Sequence, residues 1–247
     1  MKTSLLPETT KPLLDRLAEA DRAFRRAYPG EPGERQPVHT VYGGAHLFRA
    51  DAAARMGEAA RRALREGAPD AATFARVLPL PERVPAEALY TRVLEKLEKE
   101  PVEDFRIDFE DGFGNRPDPE EDREASRTAL EVARGMEAGS LPPFVGIRVK
   151  PLSGALAPRA VRTLDLFVTA LAGVTRGRLP RGFVVTLPKV TAAEQVEALA
   201  ELLGSLESRL GLPAGSIPVE IMVETPQAIV DVEGRSPLPR FVEAARG

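Results

Sequence analysis

Five short apolar runs, each separated from the next by a helical segment, limit what this chain can fold into. Val38–Tyr42, Phe105–Phe109, Phe144–Val149, Gly182–Leu187 and Pro218–Val223 read as strands, and four of them are close to continuously apolar. Strands buried on both faces of a parallel sheet look like this. Helix spacing recurs between them. Leu13, Leu17, Ala20, Phe24 and Tyr28 line one face before Pro29-Gly30, and Val196, Leu199, Leu202, Leu203 and Leu206 line another. Both faces are expected to be core surface. Residues 50–66, 86–100, 118–137 and 158–173 also read as helices. Thr191 and Glu194 have capping-box spacing, and Thr225-Pro226 reads as an N-cap followed by a first helical residue.

Two architectures suit such alternation: a (β/α)₈ TIM barrel and an open doubly wound sheet. No dinucleotide glycine fingerprint follows the first strand and no Gly-Lys-Ser/Thr loop occurs, so the α/β barrel is preferred. Residues 1–36 are expected to be an N-terminal helical extension and 37–247 a partial barrel. A barrel needs eight strands, and about five βα units are legible. The chain is therefore expected to be an incomplete barrel: a fragment, a truncated form, or a fold completed by a partner.

Composition removes several classes of function. A net charge of −3 offers no basic field for nucleic acid. The chain has no cysteine, which excludes disulfides, thiolate metal sites and cysteine nucleophiles. No apolar h-region opens the chain and no run reaches membrane-spanning length. A cytoplasmic protein acting on a small molecule, without nucleic acid or membrane and forming a homo-oligomer, is the expectation.

In parallel α/β folds ligands bind at the carboxyl ends of the strands. In chain order those ends carry Tyr42-Gly43-Gly44, then Asp108-Phe109-Glu110-Asp111, then Arg148-Val149-Lys150, then Lys189, then Glu224. Clustered carboxylates resist burial unless a cation offsets them. Glu224 with one more carboxylate would hold Mg²⁺ or Mn²⁺, and Arg148 would clamp a substrate carboxylate. Plain structural roles stay open beside this reading: a solvated helix-capping turn at 108–111, ordinary strand-end charges at Arg148 and Lys150, and a capping Lys189. His39 and His46 are expected to be structural.

Four of these segments resemble a known family. Asp108-Phe109-Glu110-Asp111 with the run Pro119–Arg127 resembles the "D-L-E-D … P-x-x-K-x-x-A-R" stretch of citrate lyase β-subunit-like proteins. Ile147-Arg148-Val149 resembles that family's "V-R-V-N", Leu187-Pro188-Lys189-Val190 its "L-P-K-V", and Met222-Val223-Glu224-Thr225 its "I-E-T". The resemblance covers about residues 37–230. It implies a barrel of the phosphoenolpyruvate/pyruvate type that holds Mg²⁺ and does enolate chemistry on a 2-oxo acid or acyl-CoA thioester. The reaction would be carbon–carbon bond cleavage or formation, as in malyl-CoA lyases and 2-oxo acid aldolases. Phosphoryl transfer involving phosphoenolpyruvate, or a non-catalytic partial barrel, are the alternatives. The resemblance makes Arg148, Glu110, Asp111 and Lys189 the catalytic groups and Arg148, Lys150, Tyr42 and Gly43 the substrate contacts. Glu224 and Asp108 become the metal ligands, and the resemblance equally implies that Asp108, Glu110 and Asp111 order the metal's water shell or orient Arg148. Lys150 stands where the family often has asparagine, and the family's second metal carboxylate follows a sixth strand that this sequence does not reach.

Overall fold

The computed structural model describes residues 4–30, 33–81 and 83–246. It divides into two units, Met1–Gln36 and Pro37–Gly247; residues 1–3 and 31–32 of the expected extension, and Gly247, lie outside the described residues. The first unit holds α1 (Pro7–Ala27), opened by a proline in its first turn, where the missing amide costs nothing. No side chain of α1 is buried, so Leu13, Leu17, Phe24 and Tyr28 are exposed rather than part of a core. Periodicity identifies an amphipathic helix; it does not say what covers the apolar stripe.

The second unit begins with β1 (Thr40–Gly44), α2 (Ala52–Gly67), α3 (Ala71–Val77), α4 (Ala86–Lys99), β2 (Asp104–Asp108) and α5 (Asp118–Ala138). It continues with β3 (Phe144–Arg148), α6 (Ala157–Thr175), β4 (Phe183–Leu187), α7 (Ala193–Leu210), β5 (Val219–Ile221), α8 (Pro226–Ile229) and α9 (Leu238–Ala244). The strands form one parallel sheet in the order β1-β2-β3-β4-β5. No helix among the described residues is long and apolar enough to cross a membrane.

Local signals explain most element boundaries. Asp70 caps α3 by accepting from the Thr73 amide at 2.7 Å. Thr225 caps α8, accepting from the Ala228 amide at 3.2 Å, with Pro226 at the first helical position. The expected Thr191/Glu194 box is displaced by one residue. The Gln195 side chain accepts from the Thr191 and Ala192 amides at 2.8 and 3.2 Å, and α7 starts after Ala192.

The sheet has two chemically opposite faces, as the period of two along a strand requires. Phe105, Ile107, Val145, Ile147, Phe183, Val185 and Leu187 share one buried apolar cluster with Ala129 and Val132 of α5, Leu164 and Phe167 of α6, and Leu199 of α7. Phe167 lies 6.3 Å from Phe109 and stacks on Phe183 at 6.0 Å, pinning α6 across three strands. The alternate residues face the other way: Asp104, Arg106 and Asp108 of β2, Gly146 and Arg148 of β3, Thr186 of β4 and Glu220 of β5. Most of these polar groups are buried.

Their pairing across several strands is the geometry of a curled sheet. Arg106 on β2 reaches Glu220 on β5 at 2.6 Å, past the two intervening strands. In a flat sheet β2 and β5 would stand roughly 14 Å apart, at about 4.8 Å per strand. Gly146, on the strand between, makes room for this crossing. A Cβ there would lie 3.2 Å from Arg106 Cδ and 2.4 Å from the Val184 carbonyl oxygen. Gly146→Ala is therefore expected to destabilise the fold by about 2 kcal/mol through overpacking against backbone. A urea melt checks this, and an unchanged midpoint would show that the sheet tolerates a side chain there.

Candidate active site at the carboxyl edge of the sheet

The concave face carries two stacked polar layers. The lower one is closed upon itself. Arg106 pairs with Asp104 through Nη1 and with both oxygens of Glu220 at 3.0 and 2.6 Å. Thr186 donates to Glu220 at 2.7 Å and Thr40 to Asp104 at 2.9 Å. Burial pushes the Glu220 carboxyl up, but the hydrogen bonds from Arg106 and Thr186 outweigh it and hold it below the usual glutamate range. None of these residues is among the candidates that strand ends suggest. The sequence signal for them is a charge in the middle of an apolar strand, at Phe-Arg-Ile and Val-Glu-Ile.

The upper layer lies at the carboxyl ends of the strands, centred on Asp108 and Arg148. Arg148 Nε and Nη2 donate to the two oxygens of Asp108 at 2.8 and 2.6 Å, a bidentate fork with both groups buried. The Glu110 and Gly112 amides complete the carboxylate at 2.9 and 2.7 Å. The four acceptor directions of Asp108 are thereby used, which leaves no lone pair for a metal. Asp108 thus corrects the expected ligand set: it anchors Arg148. Gly44 and Gly112 allow the acidic loop to fold back onto β1, since a Cβ on Gly44 would lie 2.3 Å from the Gly112 carbonyl oxygen.

Burial pushes the Arg148 guanidinium down, but Asp108 and the neighbouring carboxylates outweigh it and raise it, so it stays charged. The Tyr42 ring lies under the guanidinium, 4.6 Å from its carbon. Burial, reinforced by Glu220, raises the Tyr42 phenol above its ordinary value. Arg148 Nη1 is left facing Met222 Sδ at 3.6 Å and Glu110 Oε2 at 3.3 Å. Glu110 Oε2 is buried and has no hydrogen bond, since the approach of Nη1 meets the distance for an ion pair but not hydrogen-bond geometry.

Lys189 joins the remaining acids. Its ammonium contacts Glu110 and donates to Asp111 Oδ2 at 3.1 Å, while its backbone amide donates to Glu224 Oε1 at 2.7 Å. The hydrogen bond from Lys189 lowers the Asp111 carboxyl. Burial pushes the Lys189 ammonium down, but Glu110 and Asp111 outweigh it and raise it. Lys189 has φ 52°, a left-handed conformation uncommon outside glycine and frequent at functional sites.

Two expected substrate contacts lie elsewhere. Lys150 points to the helix-covered side, where its ammonium donates to the Phe109 carbonyl at 2.6 Å and to Glu121 of α5 at 2.8 Å. Glu121 is fully buried and also accepts from Thr163 of α6 at 2.6 Å. Lys150 is therefore a strut that ties the end of β3 to two helices, and its protons are consumed inside the protein. Gly43 likewise faces away from the site, and a Cβ there would lie 2.6 Å from the Phe105 ring.

Tyr42, Glu110, Asp111, Arg148, Lys189 and Glu224 thus meet around one rim, with Asp108 beneath. Its four carboxylates oppose two cations, so the rim is formally anionic and offers only oxygen donors of the kind Mg²⁺ takes. Among the described residues no three acidic or histidine side chains are gathered as a metal-ligand set. Glu110 Oε2 has no hydrogen-bond partner and meets only Arg148 Nη1, at 3.3 Å.

The lower layer gives a pH prediction. A carboxyl held below its ordinary value contributes stability that is complete above roughly pH 4.3 and lost as pH falls through its folded value. The urea midpoint of the wild type is expected to fall below about pH 4.3, with a shallower fall in Glu220→Gln. Equal acid slopes in the two proteins would show that the Arg106–Glu220 pair adds nothing to stability.

No curated protein matches the chain. Residues 17–247 match a family description, "Domain of unknown function (DUF6986)". That match takes in the whole curled sheet and every rim residue, and the chain is a member of the DUF6986 family.

Proposed function

We propose that the five strands are one wall of a (β/α)₈ barrel and that the rim supports Mg²⁺-dependent enolate chemistry, cleaving or forming a carbon–carbon bond in a 2-oxo acid or acyl-CoA thioester. The observation that carries this reading is Arg148. Asp108 and Tyr42 fix its plane, and Nη1 remains directed into an oxygen-rich, anionic rim. A guanidinium fixed in this way does not reorganise when charge develops on a substrate oxygen, which is the most effective form of electrostatic stabilisation.

Arg148 Nη1 would donate to the substrate's oxo or carboxylate oxygen. Glu110 and Glu224 would hold the cation. When bound, the cation would polarise the same oxo group and stabilise the enolate. Lys189 and Asp111 border the opening, and Met222 supplies the apolar contact beside Arg148. Glu110 Oε2, buried without a hydrogen bond beside the Arg148 guanidinium, supports a ligand-binding role for the rim, since a buried carboxylate oxygen lacking a hydrogen bond is costly.

Enolate formation can be tested without knowing the natural substrate. Wild-type protein with Mg²⁺ in D₂O is expected to exchange the methyl protons of pyruvate, or of the acetyl group of acetyl-CoA, as followed by proton NMR. Arg148→Ala is expected to slow exchange by roughly 100-fold or more, and Glu224→Gln to remove its dependence on Mg²⁺. Absence of exchange in the wild type with both compounds and with either Mg²⁺ or Mn²⁺ would overturn the proposal.

A further inference from the structure

α1 buries no side chain, yet it carries a continuous seam along one face. From the cap residue Leu6 the seam runs through Thr10, Leu13, Leu17, Ala20 and Phe24, spaced alternately four and three residues apart. That alternation averages about 3.5 residues, the period that keeps one face turned towards a partner helix as two helices supercoil. Pro12, inside the helix, is not on the seam. Leu6, Leu17 and Phe24 are 64, 66 and 60% exposed.

We propose that α1 is a dimerisation helix whose seam packs in parallel against α1 of a second copy of this chain. Charge beside the seam selects that partner and that direction. Arg16 stands immediately before the seam residue Leu17, and Asp21 immediately after Ala20. In a parallel pair, a residue of the first kind meets one of the second kind five residues further along the other helix. Arg16 of one copy therefore meets Asp21 of the other, and two-fold symmetry makes the contact twice. Asp21 Oδ2 pairs with Arg25 of its own helix at 2.9 Å, which leaves Oδ1 for the second copy. The other flanking pairs, Thr9 with Leu14 and Ala23 with Tyr28, bring no like charges together. An antiparallel pair would set Arg16 beside Ala23 and Asp21 beside Leu14, and both ion pairs would be lost. The seam is short, since a helix of 21 residues is about 32 Å long. The dimer is therefore expected to dissociate on dilution.

Sedimentation equilibrium of the whole chain over a concentration series tests this. The wild type is expected to pass from one to two chain masses as concentration rises, and Leu17→Glu to stay at one. Arg16→Glu is expected to weaken the dimer roughly 2- to 30-fold, the worth of two exposed ion pairs. Adding Asp21→Arg to Arg16→Glu reverses both charges and is expected to restore it. A wild type that stays monomeric would overturn the proposal and leave the seam to another partner. A dimer that survives Leu17→Glu would overturn it by placing the contact elsewhere. Direction is read separately. The chain has no cysteine, so a single introduced thiol reports its own neighbour. Leu17→Cys is expected to form a disulfide between chains under mild oxidation much faster than Arg22→Cys, which lies off the seam. Equal rates would overturn the parallel arrangement.

Discussion

Charge on the inner face of a parallel sheet is the constraint on which the rest of this structure depends. The outer face is apolar and closed by α5, α6 and α7, so the ionisable residues of alternate parity must satisfy one another across the strands. They do so by long reaches: Arg106 from β2 to β5, and Arg148 from β3 to Asp108 at the end of β2 and to Tyr42 of β1. Curling of the sheet shortens such reaches. Curling in turn removes these groups from water and makes each unmade hydrogen bond costly. Sheet curvature and charge pairing therefore stabilise each other.

The two polar layers divide the work. In the lower layer each charge has a partner, and the network gives nothing to a ligand. In the upper layer pairing is incomplete: Arg148 Nη1 meets a thioether and a carboxylate oxygen to which it makes no hydrogen bond, and Lys189 holds a conformation it does not favour. Buried polar groups left part-satisfied are disfavoured unless something else is to fill them. A satisfied layer beneath an unsatisfied one at the carboxyl ends of the strands is the arrangement expected of a rigid base under a working site. Lys150 and Glu121 support that base from behind, tying β3 to α5, with Thr163 adding α6.

Much of the fold and of the rim is legible in the residue pattern alone. The run of apolar strands and intervening helices announces the parallel sheet, and charge at successive strand ends announces the rim. Tyr42, Glu110, Asp111, Arg148, Lys189 and Glu224 are all recognisable in this way. Side-chain direction is not. Lys150 stands two residues beyond Arg148, yet its ammonium goes to Glu121 because the chain has left the strand and the pleat no longer governs it. Asp108 reads as a ligand by its company, but a bidentate arginine and two amides fill it. Gln195 displaces the expected Thr191/Glu194 cap because a longer side chain can reach two amides at once.

The sequence by itself determined the order and type of the elements, the parity that puts charge on one face and apolar bulk on the other, and the identity of the residues at the strand ends. These follow from local periodicity and hydrophobic burial, which are written into neighbouring residues. Only the tertiary structure decided which charge meets which. Arg106 finds Glu220 from 114 residues away, Arg148 finds Asp108 from 40, and Lys189 gathers acids from two strand ends. Those pairings depend on strand register and sheet curvature, properties of the assembled sheet that no short stretch of sequence contains.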